Sequence, residues 1–158
     1  MEPRLNLAAI PLAARVMKPF SSASLVVIRE SELPKATQDL VMLRSSQING
    51  CGYCTDIHTK EAAAAGETAQ RLHLVAAWRE STVFTEAERA ALELTEQGTR
   101  LADTGRGVTD EVWENAAKHY GEDRLAALVL LVSLINASNR MCVMTRMQGG
   151  AYQAGQPG

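Results

Sequence analysis

Proline, glycine and helix-capping residues divide this chain of 158 residues into stretches the length of ordinary helices. None of those stretches alternates apolar and polar residues as a half-buried strand would. Pro11 opens a first helix, which Pro19 is expected to interrupt just after Lys18, and a second spans Ser21 to Glu30. Pro34 suits the first turn of a helix from Lys35 to Ile48, and Asn49-Gly50 breaks it. A helix is then expected from Cys51 to Ala65, closed by Gly66, with another from Thr68 to Trp78. Thr85 and Glu88 have the spacing of a capping box, which predicts a helix from Glu86 to about Ala102. Thr109 caps a helix over 110–119, and a long last helix runs from Glu122 to Met147. The expected fold class is all-α.

Composition agrees with packed helices. Aromatic residues make up only 4% of the chain, while alanine and leucine, which lose little on entering a helix, are abundant. A net charge of -2 with both signs interspersed offers no footprint for nucleic acid. The longest apolar run, Leu125 to Ile135, falls short of the roughly 18 residues of a membrane span, so no membrane role is expected. Met1-Glu2-Pro3-Arg4 lacks the charged and apolar regions of a signal peptide, so none is expected. Three cysteines do not make a secreted disulfide framework, and the expected location is the cytoplasm, where thiols stay available for chemistry.

The informative segment runs from Gln47 to His58 and holds Cys51, Cys54 and His58 at offsets of three and four. On a helix these residues fall within roughly 60° of one another, so two sulfurs can bond with an imidazole beside the second. Thiolate is the reactive form of cysteine, and unpaired N–H groups at a helix start favour it. His58 can take the thiol proton or, once charged, hold the thiolate. Attack on a peroxide gives a sulfenic acid, the second cysteine condenses with it, and a partner dithiol restores the pair. Zinc competes for the same motif, but it wants four ligands and only His58 lies in register. Asp39, His73 or Cys142 would have to complete such a site, so zinc is disfavoured and no metal or cofactor is expected.

The stretch from about Leu33 to Ala102 carries a more specific signature. Leu43-Arg44-Ser45-Ser46-Gln47-Ile48-Asn49-Gly50-Cys51-Gly52-Tyr53-Cys54, His58-Thr59-Lys60 and Ala64-Ala65-Gly66-Glu67-Thr68 resemble the alkyl hydroperoxidase D-like branch of the carboxymuconolactone decarboxylase family. The first thirty residues carry little of it. The resemblance implies a single-domain bundle of about six to eight helices, assembled as trimers or hexamers. Residues 1–32 would form an N-terminal helical extension, 33–148 the core domain and 149–158 a flexible C-terminal tail. It implies a thiol peroxidase or disulfide oxidoreductase in which Cys54 attacks a hydroperoxide, Cys51 resolves and His58 relays protons. Its partners would be a hydroperoxide or disulfide substrate and an unidentified dithiol electron donor. Similar proteins place a glutamate twelve residues before the first cysteine; here Asp39 stands there, one methylene shorter, as the relay carboxylate.

Other residues have plainer readings. Cys142 is expected as a small buried hydrophobe, and His73 and His119 as structural or surface histidines. Met141, Met144 and Met147 suggest a packing stripe, and Trp78 and Trp113 suggest anchors between helices. Glu61 continues the cysteine face by one turn but ranks below Asp39. Two other functions remain open: a lactone decarboxylase, which has no evident need of paired thiols, and a non-enzymatic redox-sensing or zinc-binding module.

Overall fold

The computed structural model describes residues 2–156. Eight α-helices form one domain: α1 (Pro11–Glu30), α2 (Lys35–Ile48), α3 (Gly52–Ala64), α4 (Ala69–Leu74), α5 (Glu86–Thr99), α6 (Leu101–Thr104), α7 (Asp110–His119) and α8 (Glu122–Thr145). Among the described residues there is no strand, as the missing alternation required. The capping box forms as read: the Thr85 hydroxyl accepts from the Glu88 amide while the Glu88 carboxylate accepts from the Thr85 amide.

Three boundaries differ from the sequence reading. Pro19 does not interrupt the first helix; α1 runs through it unbroken. The helix lies at the surface, so a carbonyl that loses its amide partner can face water. Just beyond, the Ser22 and Ser24 hydroxyls donate to the carbonyls of Lys18 and Phe20. The expected helix over 68–78 ends at Leu74 and continues as a tighter 3-10 turn to Glu80, with a kink at Ala77. The helix begun at Glu86 stops at Thr99, and α6 follows separately.

Helix α2 is the centre of the domain. Leu40 and Leu43 face one core with Leu72, Val75, Trp78, Phe84 and Leu92. Val41 and Met42 face a second core built largely from α8, including Leu128, Leu131 and Ile135. Each such side chain contributes about 1.5–3 kcal/mol through its removal from water, which holds α2 on both sides. Polar contacts set its end: the Asn49 amide donates to Asn136 and Asn139 of α8 at 2.9 Å each, and Asn139 donates to Ser46 at 3.1 Å. The turn that launches α3 is thereby pinned to α8.

Helix α8 ends at Thr145, just short of the expected Met147, and its apolar character extends beyond the run at residues 125–135. With a mean hydropathy of 1.6 over its best window, it meets the length and composition of a membrane span. In this fold it is a packing helix, with Leu125, Leu128 and Leu131 in the core, Asn136 and Asn139 buried in hydrogen bonds, and Val129 and Leu130 exposed. The methionine stripe does not pack as read, because Met144 and Met147 face outward. Trp78 is a core anchor whose indole donates to Glu96 at 3.0 Å, whereas Trp113 is exposed.

Candidate active site

Gly50 makes the turn between α2 and α3, with a positive φ of 66° that a side chain would resist. The turn delivers Cys51 to the N-cap of α3, where its amide donates to the Ser46 carbonyl at 3.0 Å. Cys51 Sγ then accepts the amide of Cys54 at 3.2 Å, the bond a serine or aspartate makes at an ordinary N-cap. The two cysteines are joined in a disulfide with their Cα atoms 5.4 Å apart. The sulfurs expected to converge do so, at the start of a helix whose free amides favour negative charge on either one.

Access is narrower than an exposed helix start would give. Cys51 and Cys54 are 2% and 4% exposed. The way in is a cleft of about 170 Å³ lined by Gly50, Cys51, Gly52, Val143, Arg146, Met147 and Gln148, so the outside meets the pair at Cys51. Cys54 lies behind it, one helical turn before His58.

His58 retains some exposed surface but is deeply set, and burial, with the Lys35 ammonium adding to it, drives its pKa down to about 4. Glu61 pulls weakly the other way. With the cysteines bridged, His58 therefore stands neutral at neutral pH. Among the described residues its imidazole has no hydrogen-bond partner, and no carboxylate lies within ion-pair distance of it.

Asp39 is buried on α2 and paired with Lys35 one turn earlier. Burial raises its pKa and Lys35 opposes that rise. The structure thus brings Cys51 and Cys54 together, while Asp39 and His58 share Lys35 as a charged neighbour with no hydrogen bond or ion pair joining them. Lys35 escaped the sequence reading, although its position four residues before a buried aspartate was a usable signal.

The C-terminal segment lies along α3. Gly149 crosses the helix start so closely that a Cβ there would stand 2.5 Å from the Gly52 carbonyl oxygen. The Gly150 amide donates to Asp56 at 2.7 Å, and Lys60 donates to the carbonyls of Gly150 and Tyr152 at 3.2 and 2.8 Å. Glu61 accepts the Tyr152 hydroxyl and the Gly155 amide, and these bonds hold its carboxyl below the usual range. Glycine-rich composition gave no hint of these contacts.

Cys142, expected chiefly as a small buried hydrophobe and otherwise as one of three possible completing ligands, lies beside the pair. It is half-buried on α8, unbridged, and its sulfur and those of Cys51 and Cys54 all lie within 4.8 Å of one another. Burial raises its pKa, as it does that of neighbouring Tyr53.

Residues 13–97 match the carboxymuconolactone decarboxylase family, a match that begins inside α1. The chain is similar to the protein YdfG of Bacillus subtilis (strain 168), with 37% identity over 115 residues covering 73% of this chain and 77% of that protein. It is similar in structure to an Agrobacterium tumefaciens protein suggested to be the antioxidant defence protein AhpD. That pair has a TM-score of 0.87 and 32% identity, with 96% of this chain and all of the other covered. A peroxidase-related protein from Silicibacter sp. TM1040 shares the fold, with a TM-score of 0.79 at 20% identity over 95% of this chain and 78% of that one.

Proposed function

The chain belongs to the carboxymuconolactone decarboxylase family, in its alkyl hydroperoxidase D-like branch, and from that premise we propose that it reduces hydroperoxides with the Cys51–Cys54 dithiol. The disulfide at the N-cap of α3, with His58 one turn beyond Cys54, is the observation that carries this reading. Cys54 loses its proton to His58, and the thiolate attacks the terminal peroxide oxygen. The O–O bond breaks, leaving Cys54 as a sulfenic acid and the remaining oxygen as an alkoxide, which takes the proton back to become an alcohol. Cys51 then condenses with the sulfenic acid, forming the disulfide and releasing water. A dithiol donor entering by the cleft attacks Cys51 and, in two exchange steps, carries away the oxidising equivalents.

Charge stabilisation of the thiolate begins with the helix start. His58 is neutral beside the bridged pair and gains an anionic neighbour only when Cys54 deprotonates, so its proton affinity rises when it is needed. Asp39 serves as the outer carboxylate of this relay, acting across Lys35. The exposed apolar residues of α1, Leu12, Val16, Leu25 and Val26, supply a surface for assembly into a trimer or hexamer in the cytoplasm. The test counts thiols before and after one equivalent of hydroperoxide, maps the bridge by mass, and follows turnover with a dithiol reductant. Loss of two thiols as a Cys51–Cys54 bridge with repeated turnover is expected; a bridge without turnover would leave a sensor in place of an enzyme.

A further inference from the structure

We propose that, once the Cys51–Cys54 bridge is reduced, Cys51, Cys54 and Cys142 bind one thiophilic metal ion of the zinc type, so that metal and disulfide compete for the same sulfur atoms. A Cys-x-x-Cys pair alone is half a zinc site. The packing of α8 on α3 adds a third sulfur, and all three lie within 4.8 Å of one another. Zinc–sulfur bonds of about 2.3 Å in tetrahedral array hold sulfurs about 3.8 Å apart. Opening the bridge and turning side chains therefore brings the three sulfurs to ligand spacing.

The surroundings suit a bound cation. The Cys54 amide already donates to Cys51 Sγ at 3.2 Å, a contact that eases negative charge on a ligand sulfur. Cys51 and Cys54 are buried and Cys142 is half-buried, so the cluster is largely screened from water. The cleft beside Cys51, bordered by Met147 and Gln148, leaves a fourth position for water or a small ligand. A thiol that coordinates a metal ion of this type gives up its proton outright, so all three sulfurs can serve as thiolate ligands. A dithiol reductant first opens the bridge by two exchange steps and leaves as its own disulfide, carrying off the oxidising equivalents. Metal binding then moves no electron: the ion binds and the thiol protons leave to solvent.

The full chain, reduced with a dithiol and desalted without oxygen, is titrated with zinc chloride and separately with cadmium chloride. Retained metal, thiolate-to-cadmium absorbance and alkylation of each cysteine are read. One zinc per chain is expected, with Cys142 protected in step with Cys51 and Cys54 and no zinc retained by the oxidised protein. Cys142→Ser should weaken zinc binding by about a hundredfold or more. The alkylation readout uses the unaltered chain, so a poorly folding variant does not blunt the test. Failure to retain zinc, or protection of Cys51 and Cys54 while Cys142 still alkylates freely, overturns the proposal. No arm involves peroxide, so the result stands apart from that of the peroxidase reading.

Discussion

The two ends of the candidate site are built in different ways. At the sulfur end, Cys51 and Cys54 sit three residues apart on one helix start, covalently joined and almost sealed. At the proton end, α2 supplies Lys35 and Asp39, α3 supplies His58 and Glu61, and the C-terminal segment supplies Tyr152, which bonds Glu61. Local backbone geometry dictates the first, and tertiary assembly of charges dictates the second. Substitution at the sulfur end thus removes the bridge outright, whereas the charges at the proton end can be altered one residue at a time.

The strongest way to break that contrast is Cys54→Ser. Turnover of hydroperoxide should fall to background, because no other thiol stands at that place on α3; equal turnover in wild type and variant would remove Cys54 from the chemistry. His58→Ala should slow attack at neutral pH by about a hundredfold, the ordinary loss of a general base, and shift the thiol pKa upward. An unchanged pH–rate profile would sever the proton end from the sulfur end.

The low pKa of His58 also has a thermodynamic consequence in the oxidised protein. The unfolded chain takes up this proton near the usual 6.5, but the folded chain resists until about 4. Stability is therefore full above about pH 6.5 and falls as pH drops toward 4, by about 3 kcal/mol at the extreme. Urea midpoints of wild type and His58→Gln between pH 7 and 4 measure it. The variant should lose less stability than wild type over that range; identical slopes would show that the imidazole is solvated.

The same contrast explains what the sequence could disclose. Cys51, Cys54 and His58 are legible because one helix places them, and helical spacing needs no knowledge of the remaining fold. The capping box at Thr85 and the proline at the head of α2 are legible for the same reason. Cys142 read as a small apolar residue or as one of three possible completing ligands, and nothing in the sequence chose between them, since its meeting with Cys51 depends on how α8 crosses α3 some ninety residues later. Pro19 misled because a helix tolerates proline where water can serve its freed carbonyl, and surface position is a property of the fold. The glycines of the C-terminal segment read as looseness, although Gly149 is what lets the chain pass so close to Gly52.

Asp39 tests the proton end most finely, and the expected effect is small. Its carboxylate is buried and claimed by Lys35, and it is one methylene shorter than the glutamate that the family resemblance implies there. If reach limits the relay, Asp39→Glu should raise turnover by roughly two- to fivefold, an energy near 0.5–1 kcal/mol. Asp39→Asn separates the two roles this carboxylate can have. A relay group loses rate whatever happens to stability, whereas a mere anchor for Lys35 lowers the melting temperature and leaves kcat alone. Should both variants keep the wild-type kcat, Asp39 belongs to the packing of α2, and His58 exchanges its proton with water through the surface it still exposes.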